Sequence, residues 1–212
     1  MAVFVLVHGA WGGAHGFRKV RGPLRAAGHE VFTPSLTGIG ERAHLTSPQV
    51  CLTTHITDVV NTVWYEDLSD IVLLGFSYGG FVVTGALKYI AERVRHLVYL
   101  DAFVPGDGDA LAGPGGTGRG VIGLGQDWLV PPMPREYDDP AEAEWAEARR
   151  TPHPAGCFTE PVRLARSKPS LRRTPPTFSQ HATEVLGEFG YSTTDIETMI
   201  ADGVVCGPER KR

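Results

Sequence analysis

The chain is short of several things, and each shortage removes a class of protein. It has three cysteines in 212 residues, Cys51, Cys157 and Cys206, far apart and odd in number. That excludes a disulfide framework and paired-cysteine metal sites; reduced thiols and a cytoplasmic location are the expectation. No apolar run could span a bilayer, so no membrane partner is expected. The opening stretch Met1-Ala2-Val3-Phe4-Val5-Leu6-Val7 is apolar but lacks the basic flank and length of a signal peptide. It reads instead as a buried strand. Excess positive charge is missing too: a net charge of −4 gives no reason to expect nucleic acid.

What is present is the composition of one globular domain, 42% hydrophobic and 21% charged. The first hundred residues alternate β-rich runs with helical stretches. Strands are expected at Val3–Val7, Glu30–Pro34, Ile71–Phe76 and Val94–Leu100. Helices are expected at Phe17–Ala27, from about Thr53 to Tyr65, and at Tyr78–Ala91. Strands buried on both faces with helices between them argue a parallel α/β sheet.

The chemistry concentrates at Gly75-Phe76-Ser77-Tyr78-Gly79. An apolar strand precedes it and an apolar helix follows, the pattern of a nucleophile elbow. Glycines two before and two after the serine permit a turn too tight for side chains. A serine hydroxyl is a weak nucleophile near neutral pH, so a base must take its proton as it attacks a carbonyl. Two N–H donors must hold the oxyanion, and a carboxylate orients the imidazole base. Tyr78 supplies one donor; the loop His8-Gly9-Ala10-Trp11-Gly12-Gly13 places Ala10 to supply the other.

Pattern changes follow Asp101. The string Gly113-Pro114-Gly115-Gly116-Thr117-Gly118 matches GxGxxG in letters, but no strand precedes it, and a loop beside the active site is the better reading. Asp139-Pro140-Ala141-Glu142 opens a short helix whose charges suit a solvated element. Arg163, Arg166, Lys168, Arg172 and Arg173 form a basic linker without an acid. Two amphipathic helices are expected after it, about Gln180–Glu188 and Thr194–Ala201, with Ser192 and Asp195 capping the second.

Three segments together carry a resemblance: His8-Gly9-Ala10-Trp11, Gly75-Phe76-Ser77-Tyr78-Gly79-Gly80, and Val98-Tyr99-Leu100-Asp101-Ala102-Phe103-Val104-Pro105. They resemble the α/β-hydrolase superfamily, in particular the small esterases related to plant methylesterases and hydroxynitrile lyases. Asp127–Arg135 and Thr151-Pro152-His153-Pro154 through Pro161-Val162 resemble the lid of bacterial members. The likeness covers about residues 1–166. It implies an α/β-hydrolase fold and hydrolysis of a small carboxylic ester through an acyl-enzyme at Ser77. Ala10 and Tyr78 become the oxyanion donors, and no metal or cofactor is called for. The sequence departs from the group at Phe76, where many relatives carry histidine, and at His15, where tryptophan is common.

The end of the chain departs further. In that family the acid and the histidine follow later strands, which would need about 60 to 80 residues of ordinary elements. Only 46 residues follow Arg166, and their pattern is helical. Pro161-Val162-Arg163-Leu164, Thr174-Pro175-Pro176, and Gln180-His181-Ala182-Thr183-Glu184 with Gly190-Tyr191-Ser192 resemble the C-terminus of family III CoA-transferases. The expectation is therefore a C-terminally truncated α/β-hydrolase with a fused helical tail: core 1–104, lid 105–160, linker and tail 161–212. Asp101, at the end of the strand after the elbow helix, is the candidate acid, with loop capping as its alternative. His181 and His153 are candidate bases; His8, His29, His44, His55 and His96 read as structural. The rival to an esterase is a remnant that self-associates, as a homodimer, through an open sheet edge or the tail.

Overall fold

The computed structural model describes residues 1–112, 128–164, 186–187 and 190–201. The chain divides into two compact units, Met1–Arg166 and Ser167–Arg212. The first is built on four parallel strands: β1 (Val3–Val7), β2 (Glu30–Phe32), β3 (Ile71–Ser77) and β4 (Val94–Ala102), in the order β2-β1-β3-β4. Val5 lies opposite Phe32 on one side and Leu73 on the other. The expected parallel sheet is therefore present, with the expected four strands.

Both faces of the sheet are covered, which is why β1 and β3 carry unbroken apolar runs. On one face Val5, Val7, Ile71 and Leu73 meet helices α2 (Leu52–Tyr65) and α3 (Gly79–Ile90) through Ile56, Val59, Val63, Phe81, Val82 and Val83. On the other, Leu6, Phe17 and Val31 bury against Phe4, Leu24, Leu74 and Phe76, with Leu24 drawn from α1 (Arg18–Ala26). Gly28 ends the α1 connection with a φ of 83°, the left-handed conformation that favours glycine. β2 stops at Phe32, short of the expected Pro34, since proline has no N–H to give a ladder.

The segment expected as a lid, residues 105–160, holds a two-residue antiparallel pair. β5 (Leu129–Val130) runs beside β6 (His153–Pro154), with Val130 opposite His153. Between them lies α4 (Pro140–Glu147), opened as expected by the Asp139 carboxylate, which accepts the Ala141 N–H at 2.9 Å. After β6 comes the single turn α5 (Gly156–Thr159), with Cys157 and Phe158 buried. Glu142 of α4 receives a forked pair from Arg18 of α1, both bonds 3.0 Å long, plus Lys19 at 2.7 Å. These cations pull its carboxyl down to about 2. In the second unit α6 (Thr193–Ala201) starts at the expected cap: Ser192 Oγ donates to Asp195 at 2.6 Å and accepts the Asp195 N–H at 3.2 Å. The helix expected at Gln180–Glu188 lies largely outside the described residues, as does the glycine-rich string at 113–118.

Candidate active site

Ser77 ends β3 with a φ of 52°, a left-handed conformation rare for a residue with a side chain. The turn that forces it depends on the two flanking glycines. A Cβ on Gly75 would sit 2.7 Å from the Gly79 carbonyl oxygen, and one on Gly79 would sit 2.6 Å from that of Val7. Those distances leave no room for any side chain. The Phe103 N–H donates to the Ser77 carbonyl at 3.2 Å and braces the elbow from the β4 side. Such a turn lifts the serine off the strand line and starts α3 directly behind it.

The loop after β1 closes on the same point. A Cβ on Gly9 would lie 3.0 Å from Ser77 Cβ, so the backbone leading to Ala10 passes against the serine. His8 holds this loop from below. Its Nδ1–H donates to the Gly9 carbonyl at 2.9 Å and its Nε2 accepts the Leu36 N–H at 3.1 Å. Both nitrogens are occupied, and burial pushes the imidazole down to about 4. His8 is thus the structural hydrogen-bonding group that its place in the sequence suggests.

Trp11, the residue after Ala10, is held in an unusual backbone conformation, with a φ of 60°. Three lid groups grip it. Its N–H donates to His153 Nδ1 at 3.2 Å, its indole Nε1–H to the Val130 carbonyl at 3.1 Å, and its carbonyl accepts the Thr151 N–H at 3.0 Å.

Behind the elbow lies a buried cluster of His55, Tyr78, His153, Cys157 and Phe158. Tyr78 and His55 form a 3.0 Å bond between Oη and Nδ1, and His55 Nε2 meets the Thr37 carbonyl at 2.8 Å. A carbonyl only accepts, so Nε2 carries the proton and Tyr78 O–H donates to Nδ1. The same logic fixes His153: Nδ1 accepts from Trp11, leaving the proton on Nε2, which is buried without a partner. An unsatisfied buried N–H costs about 1–3 kcal/mol. Part of that is offset where ring edges meet π faces. His153 stands nearly perpendicular to Tyr78 and His55, with centroids 5.0 and 5.4 Å away, and stacks on Phe158 at 4.4 Å. Burial lowers His55 to about 4, pushes His153 well down, and raises the Cys157 thiol and the Tyr78 phenol.

One ligand atom each from His55, His153 and Cys157 lies within 4.8 Å of the others, which raises the question of a metal. The hydrogen bonds answer it. The lone pair of each imidazole already accepts a bond, from Tyr78 and from Trp11, and the thiol holds its proton. A metal would have to break both bonds and strip that proton, so these residues do not fit an ion as they stand.

The sequence-derived candidates divide accordingly. The structure brings Ser77, Tyr78 and the Gly9–Ala10 backbone together. Asp101 sits at the end of β4, exposed, with a φ of 43°. His153 is buried, and its acceptor nitrogen is taken by Trp11. Among the described residues none hydrogen-bonds Ser77 Oγ. His181 lies outside the described residues. The sequence reading missed the parts of Trp11 and His55. His55 had a signal: it falls on the apolar stripe Leu52, Ile56, Val59, Val63 of α2, where a polar side chain needs a partner. Two aromatics of the 128–164 segment differ in setting. Phe158 is core, and Trp145 lies under the Arg18 guanidinium at 3.5 Å.

Comparison with known proteins agrees with this geometry. The chain is 55% identical over 111 residues to a carbendazim hydrolyzing esterase from Nocardioides sp., a match covering 52% of this chain and 46% of that protein. It is 34% identical over 110 residues to methylesterase 1 of Arabidopsis thaliana, covering 48% and 40%. The chain thus matches less than half the length of these curated relatives. Among solved structures, it resembles an extracellular alpha/beta-hydrolase from a Paenibacillus species, one with structural and functional homology to tobacco salicylic acid binding protein 2. That likeness has a TM-score of 0.65 and 26% identity, covering 77% of this chain and 72% of the other. A family model matches residues 4–206, running through much of the stretch that resembles a transferase tail. With the elbow, the sheet order and this match in agreement, the chain belongs to the alpha/beta hydrolase family.

Proposed function

We propose that the protein hydrolyses small carboxylic esters through nucleophilic attack by Ser77. The observation that carries this is the elbow itself: a serine at a φ of 52° between two glycines whose hydrogens the turn requires. In the proposed reaction Ser77 Oγ attacks the ester carbonyl carbon as its proton passes to a base. The oxyanion is held by the N–H groups of Ala10 and Tyr78. The carbon–oxygen bond to the alcohol then breaks, the alcohol leaves with the proton, and water hydrolyses the acyl-enzyme. Among the described residues no hydrogen bond occupies either of those N–H groups, which supports the assignment. Esterases and methylesterases among the relatives favour the same substrate class.

Seven of the eight histidines are described, and none of them bonds Ser77. His181 is the candidate base named from the sequence, and a site without a base would react several orders of magnitude more slowly. Asp101 is the candidate acid. A second reading has its own observation: β4, nine residues long, pairs on one side only among the described residues. Such an edge can add a strand from a second copy. One experiment separates the readings. Purified folded protein is exposed to a fluorophosphonate probe, alongside Ser77→Ala and His181→Ala. Stoichiometric labelling that Ser77→Ala abolishes is the expected result, and slowing by His181→Ala assigns the base. Folded protein that takes no label overturns the esterase reading; a dimer in sedimentation would then favour association.

A further inference from the structure

We infer that His153 is a positioning residue that sets the oxyanion loop, acting through the hydrogen bond its Nδ1 accepts from the Trp11 N–H. The catalytic consequence rests on the proposed ester hydrolysis; the structural claim does not.

A bulky aromatic at a φ of 60° persists only where its surroundings over-determine it. Here they do, and every grip on Trp11 described above comes from the lid: His153, Val130 and Thr151. The bond to His153 matters most for the site. Trp11 N–H belongs to the peptide plane joining Ala10 to Trp11, immediately after the proposed Ala10 donor. Fixing that plane limits the directions in which the Ala10 N–H can point. The same imidazole lies against the Tyr78 ring at 5.0 Å, beside the second proposed donor. One buried side chain thus bonds the residue after the first proposed donor and packs on the ring of the second.

The choice of histidine follows from the requirements of the position. The group must accept one hydrogen bond, fill an aromatic slot against Phe158, and carry no charge in a dry interior. A neutral imidazole does all three, at the cost of leaving Nε2–H without an acceptor. Phenylalanine would fill the slot and accept nothing. Glutamine would accept and fill it less well.

The test uses the full chain with His153→Phe and His153→Gln, and reads two things. The first is hydrogen exchange of the Trp11 amide against that of Leu73 in the sheet. The second is fluorophosphonate labelling of Ser77, resolved into half-saturating probe concentration and maximal rate. Exchange at Trp11 should quicken about tenfold or more in the Phe variant, as expected for losing one hydrogen bond. Leu73 should keep its protection, and the maximal labelling rate should fall by a similar factor at unchanged half-saturation. The Gln variant should restore part of both. Wild-type protection of Trp11 in the Phe variant overturns the inference. So does a Gln variant as impaired as Phe with Leu73 intact, because packing alone would then explain the effect. Absence of labelling in the wild type defeats the esterase reading, while the exchange arm still decides the clamp. If the Phe variant does not fold, nitrogen shifts of wild-type His153 serve: an unprotonated Nδ1 is required, and the opposite tautomer overturns the claim.

Discussion

Gly79 shows how much of the site depends on atoms that are not there. A Cβ at that position would press on the carbonyl oxygens of Val7 and His8 at 2.6 and 2.9 Å, backbone that cannot swing aside. Gly79→Ala should therefore push α3 away from the sheet and destabilise the protein by about 1–3 kcal/mol, the usual scale of overpacking. Gly16 makes the control, since a Cβ there meets nothing within 4 Å. Gly16→Ala should change stability by less than about 0.5 kcal/mol. Urea unfolding of both variants measures the contrast, and equal effects would mean the elbow is looser than its geometry implies. At this scale the sequence was informative where chemistry is local. Gly75, Ser77 and Gly79 announce their turn within five residues. His153 and Trp11 are 142 positions apart, and nothing in either neighbourhood predicts that one caps the other.

At the scale of elements, the strands and helices of the core were legible because burial on both sheet faces writes itself into unbroken apolar runs. β1 matched its expected bounds, and β4 ran two residues further, to Ala102. The lid pair β5–β6 was not foreseen. Each strand is two residues long, too short for any alternation, and the pairing is set by contacts distant in sequence. The same distance hides the anchor between lid and core at the start of α2. There Glu160 accepts the Thr53 N–H at 2.7 Å and the Thr53 hydroxyl at 2.6 Å, satisfying a free amide of the first helical turn. Glu160→Ala should cost about 1 kcal/mol, as loss of a helix cap does. Thermal unfolding at neutral pH would show it; an unchanged midpoint would mean that the cap at Cys51, whose N–H donates to the Thr54 hydroxyl at 3.3 Å, suffices.

For the whole molecule, three buried neutral histidines govern the response to acid. His8 and His55 fall to about 4 and His153 is also pushed well down, all through burial, against about 6.5 in an unfolded chain. The unfolded state then binds more protons below that value, so stability is complete above pH 6.5 and drains away as pH falls toward 4. By pH 5 His8 and His55 should each have contributed about 2 kcal/mol of loss, with His153 adding in the same direction. Urea midpoints measured across that range should drop steeply, and His55→Gln should flatten the curve. A level profile would show that these imidazoles are reached by water. The acid limb of any Ser77 reactivity then reports unfolding as well as titration of a base.

The grip on the Trp11 indole gives the molecule a built-in optical gauge. Of its four tryptophans, Trp64 and Trp128 face solvent and Trp145 lies beneath a guanidinium, while Trp11 lends its indole N–H to the Val130 carbonyl and rests on Phe158. Its emission colour therefore follows the seating of β5 and β6 on the loop after β1. Release of that pair from the loop is readable in real time, with no dye attached and no substrate known.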